Sequence, residues 1–492
     1  MKDTKKQSGL HLVTNETAVM EAQTIFENLV RYSQRAEGTV EETENAIFKE
    51  VLKLGRALLQ QSVTARMEEE RIEPIEVEGG KEIPYHGQRS YRYVSIFGEI
   101  EVERAYFWSE ETGGVAPLDE KMGRPKRCYS PKLEEWALRL SVVEPFEASV
   151  EWLNEQLGVK IPKRMVEVMS VEAAQDVRSF YESPAKMKAT GEGECIVVST
   201  DGKGIPMTKK ELAQTPTRRK RGEKAQKKKM ATVATVYTVA EQDRFESVTE
   251  TGQLPDIAAH DKQIFAELEA KPTLTPFLKD QVEARGGARR PVAFLADGQP
   301  AMWGLKAEIC PYAVEILDFH HAREYLWKAV YTFLPEGSEA ATAWVKAQES
   351  RFLLGQVGLV IDELRHCLST GLIVGKSKTE TVHKVIAYFD TNRSRMRYDQ
   401  YLRAGFPIGS GAVESACKQL IVTRMDGAGM RWTVTGAQAM LDLRSVFLNG
   451  DWSRYWTFHR SQEHLRLYGP SVQSPDVPKT EKKSGGLSFN SK

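Results

Sequence analysis

Two aspartates stand in near-identical settings. Asp201 closes the run CIVVSTDG and Asp297 closes PVAFLADG, each after a short apolar stretch and each followed by glycine. A carboxylate at the end of a buried strand borders the crevice where open α/β sheets bind ligands. Two such carboxylates from neighbouring strands could converge on one divalent ion or two. Mg2+ favours a few carboxylates together with water and phosphate oxygens. Two ions about 4 Å apart stabilise both the attacking and the leaving oxygen in phosphoryl transfer. Asp-Gly is also a common turn dipeptide, so each aspartate alone has a purely conformational reading. Glu414 is the third candidate. It follows Gly409-Ser410-Gly411 in a helical pattern, and a rigid helix suits a ligand that must be held in place. A Glu in a first turn also complements the helix dipole, and Lys418 lies at i,i+4.

The strongest charge signal lies beside Asp201. Lys203, Lys209, Lys210, Arg218, Arg219, Lys220, Arg221, Lys224, Lys227, Lys228 and Lys229 face only Glu211 and Glu223 in the same stretch. Such a run is a solvated loop or a polyanion contact whose binding weakens with salt. Its place next to a candidate carboxylate favours nucleic acid, without readout of sequence. Asp318-Phe319-His320-His321 closes another strand-like run, AVEILDFH. No Cys or His stands near it at zinc-finger spacing, so it has a structural reading beside a catalytic one. Arg431-Trp432 offers a phosphate-binding guanidinium and a ring able to stack on a base; core packing is the plainer role of the Trp.

These residues need elements to position them. Helical spacing runs from Thr17 to about Glu70, and RSYRYVSIFGEIEVERAYFW reads as a β-hairpin turning at Phe97-Gly98-Glu99. Ser130-Pro131 opens a helical stretch reaching about Glu182, with a break at Gly158 and a restart near Pro162. That is the outline of a helix-turn-helix, and Lys160, Lys163 and Arg164 sit where a recognition helix would begin. After Glu194 the pattern predicts strands over CIVVSTDG, residues 231–239 and FESVT from Phe245, then a helix around Ile264 to Ala270. The Asp297 strand, a helix over Ala301 to Ile309, the AVEILDFH strand and a helix over Ala322 to Phe333 follow. This alternation indicates a mixed α/β sheet. Pro335 to about Arg403 reads as a helical insertion.

The chain has 492 residues, enough for about three domains, and equal numbers of acidic and basic residues, 68 each. Any polyanion signal is therefore local. The five cysteines are scattered without a CxxC pair, against a disulfide scaffold or a common zinc site. The opening MKDTKKQSGLHLVT lacks the apolar core of a secretory signal, and FLLGQVGLVI is too short to span a bilayer. A soluble cytoplasmic protein with no membrane partner is expected.

Taken together, VVSTDG, FLADGQPAMW, ILDFHHAREYLW and GSGAVESACKQLIVTRMDGAGMRW, with FGEIEVERAYF, PLDEKMG and LRSVFLNGDW, resemble the ISKra-four family of bacterial insertion-sequence transposases over about residues 90–455. The resemblance implies an RNase H-like catalytic core and a DDE set of Asp201, Asp297 and Glu414 holding two Mg2+ ions, with Mn2+ able to substitute. It also implies a helical insertion between the second Asp and the Glu. Asp318 and His321 match an Asp-x-x-His motif of related groups, which adds His321 to the catalytic set, with Asp318 and His320 accessory. A Cys pair expected after the aromatic strand is missing from AYFWSEETGG, so no zinc ribbon is expected there.

The implied layout is a disordered start (1–16), N-terminal helices and hairpin (17–129) and a helix-turn-helix-like DNA-binding region (130–190). The core follows (191–334), then the insertion (335–404), the rest of the core with the Glu helix (405–469) and a disordered tail (470–492). The implied partners are double-stranded DNA at element terminal repeats and at the target, engaged by a homodimer or larger assembly in the bacterial cytoplasm at the nucleoid. A nuclease that cuts without joining, a non-catalytic repressor and a glycosidase-like hydrolase using two acids are the competing readings; the basic run disfavours the last.

Overall fold

The computed structural model describes residues 15–34, 38–77, 81–111, 113–182, 193–213, 227–268 and 271–469. The expected disordered tail, and all but Asn15 and Glu16 of the expected disordered start, lie outside them. Helices α1 (Asn15–Ser33) and α2 (Val40–Glu68) pack on each other. The first turn of α2 is closed by a capping box: the Thr39 hydroxyl accepts from the Glu42 amide, and the Glu42 carboxylate accepts from the Thr39 amide. A short pair, β1 (Ile75–Val77) and β2 (Lys81–Ile83), precedes the expected hairpin of β3 (Tyr85–Ser95) and β4 (Gly98–Ser109), whose turn is allowed by Gly98 at φ 115°. Strand β5 (Gly113–Val115) and α3 (Pro117–Lys121) complete this part.

Four helices follow, α4 (Pro131–Ser141), α5 (Phe146–Leu157), α6 (Lys163–Ala174) and α7 (Val177–Glu182). Ser130 caps α4 through the Leu133 amide, with Pro131 in the first turn, and Gly158 ends α5 in the left-handed region. The α/β part comprises β6 (Cys195–Pro206), α8 (Lys209–Ala213), β7 (Lys228–Val239), α9 (Phe245–Thr251), β8 (His260–Leu268), α10 (Lys271–Ala284), β9 (Val292–Ala296), α11 (Pro300–Ile309), β10 (Val314–Leu317) and α12 (Phe319–Val330). Helices α13 (Glu339–Leu353), α14 (Val357–Ser369), α15 (Lys376–Asn392) and α16 (Tyr398–Arg403) fill the stretch read as an insertion. Helix α17 (Gly411–Cys417) passes through a π turn (Lys418–Val422) into α18 (Thr423–Met425), and α19 (Val434–Leu448) and α20 (Trp452–Tyr468) end the described chain.

Five strands form one mixed sheet in the order β10-β9-β6-β7-β8. Strands β6, β9 and β10 run parallel, while β7 and β8 are antiparallel to their neighbours. The strand pleat sends alternate residues to opposite faces. Ile196 and Val198 of β6 join Val292, Phe294 and Ala296 of β9 in one core, covered by α4–α7, α10, α11 and α17–α20. Cys195, Val197, Ala293 and Leu295 join the other, covered by α9, α12 and the insertion helices. The helices of 131–182 share the first core with the sheet, and α6 lies along α19. No described helix is long and apolar enough to cross a membrane.

Two element expectations are corrected. FESVT is the start of helix α9, ended by Gly252 in the left-handed region, and the stretch read as a helix around Ile264 is strand β8. Ile264, Phe265, Ala266 and Leu268 are all buried. A strand covered on both faces loses the alternation that would mark it, which leaves a short apolar run ambiguous. Asp201 is a third correction: β6 continues past it to Pro206, paired throughout with β7, so Asp201-Gly202 is not a turn.

One buried ion cluster ties the ends of this assembly. Asp176, between α6 and α7, accepts from both terminal nitrogens of Arg466 (2.7 and 2.8 Å) and lies 2.7 Å from Nδ1 of His459, both on α20. Burial alone would raise the Asp176 pKa, but the hydrogen bonds from His459 and Arg466 outweigh it and bring it below the ordinary carboxylate value. A depressed carboxylate contributes stability that is present above its unfolded pKa, about 3.9, and is lost as pH falls through the lower folded value. Asp176→Ala is expected to cost about 2 kcal/mol at neutral pH, because it strands the buried His459 and removes the partner of the more exposed Arg466. In denaturant titrations the difference from wild type should shrink below about pH 4; a pH-independent difference would remove the ionic account.

Candidate active site

The sheet register builds the site. Pairs between β6 and β9 run from Ile196–Val292 to Ser199–Leu295, and continuing them by two residues sets Asp201 level with Asp297. Leu317 of β10 pairs with Ala296 of β9, so Asp318 follows at the same level, and its amide donates to the Ala296 carbonyl at 2.9 Å. Three adjacent parallel strands thus deliver three carboxylates to one edge. Asp201 shares the pleat parity of Cys195 and Val197, which points it toward the α12 side of the sheet.

Each carboxylate is then fixed by its own neighbours. Asp201 accepts from the Gly202 amide at 2.7 Å, and the Cys417 thiol of α17 donates to its other oxygen at 3.5 Å. Asp297 accepts from the amide and the side chain of Gln299 at 3.0 and 2.7 Å. Gly298 turns the chain away at φ 90°, and a Cβ there would meet Leu317 and the Tyr388 ring at about 3 Å. Tyr388, from the insertion helix α15, donates to the Asp297 carbonyl at 2.8 Å and stacks on Tyr325 of α12. The insertion therefore buttresses the second aspartate.

Asp318 is fully buried. One of its oxygens accepts from the His321 amide at 2.9 Å and lies 2.6 Å from His321 Nδ1, while the other accepts from the Ser410 amide at 2.6 Å. This carboxylate caps α12, orients the imidazole and anchors the segment leading into α17. Donor atoms of Asp201, Asp297 and His321 lie within 4.8 Å of one another, a group able to hold a metal ion among the described residues. Hydrogen bonding to Asp318 drives the His321 pKa up to about 9 against its burial, helped by the charges of Asp201 and Asp297. Burial raises Asp201, reinforced by Asp297 and opposed by the Gly202 amide and His321.

The cleft above these groups measures about 720 Å³ and is lined by Asp201, Lys203, His320, His321, Arg323, Glu324, Trp327, Glu414, Cys417, Lys418 and Val422. Glu414 lies on the same wall as Cys417. It is exposed and outside the three-residue group, and its Oε1 accepts from the Ser410 hydroxyl at 2.6 Å. Its helix is secured from below by two buried guanidinium groups. Arg424 donates to the Ser141 carbonyl, and Arg444 donates to the carbonyls of Val142, Gln419 and Leu420. They reach the end of α4, where carbonyls lack helical partners, and Arg444 also reaches the π turn. Burial lowers both arginines to about 10, so they stay charged at neutral pH.

The basic candidates divide. Lys203 lines the cleft. Lys209 and Lys210 are exposed on α8, while Lys227 precedes and Lys228 and Lys229 open β7 at the far end of the β6–β7 arm, where Lys228 pairs with Asp426 at 2.6 Å. Arg218, Arg219, Lys220, Arg221 and Lys224 lie outside the described residues. Arg431 is exposed. Trp432 corrects an expectation: it is 8% exposed, its indole donates to the Met425 carbonyl, and it packs with Phe146 and Arg424. No ring face remains for a base. Sequence reading missed Cys417, Arg323, Trp327 and Tyr388. Arg323 and Trp327 lie three and seven residues after His320, the spacing of one helix face.

No family model and no curated protein matches the chain. Among solved structures it is similar to the Drosophila P element transposase strand transfer complex, at 9% sequence identity, covering 69% of this chain and 83% of that chain, with a TM-score of 0.23.

The turn after Asp297 gives a direct test of the site's construction. Gly298→Ala is expected to cost about 1–2 kcal/mol through its left-handed backbone, before any displacement of Tyr388. Chemical denaturation measures it, and a neutral substitution would show that the turn relaxes freely.

Proposed function

We propose that this chain is a metal-dependent DNA transposase of the DDE type with an RNase H-like core. The observation that carries the reading is the convergence of Asp201 and Asp297, from neighbouring parallel strands, at the base of an open cleft that Asp201 lines together with Lys203, Arg323 and Lys418. The donor set suits a divalent cation: two carboxylates held in fixed orientations, backed by an imidazole. Asp201 and Asp297 would hold the ion, with Glu414 on the facing wall as the third acid. A bound divalent ion would supply Lewis-acid stabilisation of charge at a phosphodiester and favour ionisation of a water.

The protein's own residues do the remaining work. Lys203, Arg323 and Lys418 offset phosphate charge along the cleft, and the basic end of the β6–β7 arm extends that field. Rigid strands and the braced α17 fix the acids, which is the protein's main contribution where the reaction needs positioning and charge stabilisation more than covalent help. Transposition requires two DNA ends together, so the working form is a homodimer or larger assembly. The helices of 131–182 are proposed to recognise the element ends.

A cleavage-and-joining assay tests this, using labelled duplexes that carry the element's own end, with Mg2+ or Mn2+. Wild type is expected to expose a 3′-hydroxyl and join it to a second duplex. Asp201→Asn and Glu414→Gln should each lower the rate by about 100-fold or more, the scale of one charge-stabilising group. Nicking without joining would identify a nuclease. Duplex binding without any reaction would identify a repressor. Full activity of Glu414→Gln would remove that residue from the catalytic set.

A further inference from the structure

The metal-dependent reading leaves open which side chains take the ion, and the structure narrows the choice. We infer that His321 is itself a ligand, through Nε2, so that Asp201, Asp297 and His321 form a mixed oxygen and nitrogen site that favours a borderline divalent ion such as Mn2+ over Mg2+. This rests on the metal-dependent reading above and goes beyond it in assigning a nitrogen donor and the metal's chemical class.

Proximity is the first argument. The donor atoms of Asp201, Asp297 and His321 lie within 4.8 Å of one another, whereas Glu414 stands outside this group with one carboxylate oxygen engaged by Ser410. The second argument is the shell behind the imidazole. Nδ1 of His321 is taken by Asp318 at 2.6 Å, which leaves Nε2 as the nitrogen that an ion could ligate by displacing its proton. Asp318 is 0% exposed, and its two oxygens also accept the His321 and Ser410 amides, so it cannot swing into the cleft. A buried carboxylate behind an imidazole is the arrangement that orients metal-binding histidines and raises their basicity. Burying that charge would be costly without such a purpose or full compensation. The third argument is that both oxygen ligands are also held from behind, Asp201 by the Gly202 amide and Asp297 by Gln299. Every member of the trio therefore has an outer partner. Imidazole is a poor partner for a hard ion that prefers oxygen and retains its water, and a better one for transition ions.

The test reads metal binding and not turnover. Full-length protein is titrated with Mn2+ and with Mg2+ by calorimetry, and the Mn2+ form is examined by pulsed electron paramagnetic resonance. Expected are tighter binding of Mn2+ than of Mg2+ and nitrogen hyperfine coupling in wild type. His321→Asn should lose the coupling and bind Mn2+ about 10–100-fold more weakly, and Asp318→Asn should keep the coupling with a weakening in the same range. Mn2+ binding in wild type without nitrogen coupling would overturn the inference while leaving the metal-dependent reading intact. Coupling that persists in His321→Asn would assign the nitrogen elsewhere, His320 being the next on the cleft wall, and would equally overturn it. Unchanged affinity in Asp318→Asn would overturn the part given to Asp318. Failure of wild type to bind either ion would sink the metal-dependent reading and this inference together. Absence of coupling in the wild-type spectrum overturns the inference whether or not a variant folds, and His320→Asn, which should keep the coupling, separates the two histidines if His321→Asn does not fold.

Discussion

Everything in the cleft depends on the alignment of three parallel strands. The pairing of β6 with β9 and of β9 with β10 sets Asp201, Asp297 and Asp318 at one level. A slip of one residue in either pair would turn a carboxylate to the opposite face. The alignment is held because both faces of the sheet are buried. Val197 and Leu295 are locked into one core, while Val198 and Phe294 are locked into the other. The helices on each side thus do more than cover apolar surface: they make every other register expensive.

The second layer of organisation is a set of buried charges, each satisfied differently. Asp318 meets an imidazole and two backbone amides. Arg424 and Arg444 meet carbonyls at the end of α4 and along the π turn. Arg444 thereby joins the π turn, at the Gln419 and Leu420 carbonyls, to the end of α4, at the Val142 carbonyl. Short links of this kind connect α4, α17, α19 and α12. The Cys417 thiol, next to Asp201, completes the circuit between the helix and the strand it faces. Burial and the neighbouring Asp201 push that thiol's pKa well up, so it serves as a neutral donor.

Much of this was legible in the sequence where local chemistry decided the outcome. The β3–β4 hairpin, the Ser130-Pro131 start, the Gly158 stop and the all-helical 335–403 stretch follow from turn residues, caps and spacing. The two apolar runs ending in Asp-Gly pointed to two aspartates that the fold does bring together. Tertiary context decided the rest. Strand β8 lies between β7 and covering helices, which erased its alternation. Asp201-Gly202 was read as a strand end because the β6–β7 pairing that carries the strand onward is not a local property. Trp432 was offered as a stacking surface, but its indole is claimed by Met425 and Phe146 from elsewhere in the chain. The role of Asp318 in joining His321 to Ser410 depends on a contact across 92 residues, beyond the reach of any window.

The chain order of these parts has a consequence for synthesis. Strands β6, β9 and β10 leave the ribosome with all three aspartates, but the wall bearing Glu414, Cys417 and Lys418 comes only after the whole excursion through α13–α16. At usual elongation rates that interval is roughly 5 to 20 seconds. The excursion closes on itself where the Phe319 amide meets the Ile408 carbonyl, so the last wall arrives beside strands already emerged. A nascent chain is accordingly born with an incomplete cleft, and translation itself delays the closing of its last wall until the helix carrying Glu414 has folded back.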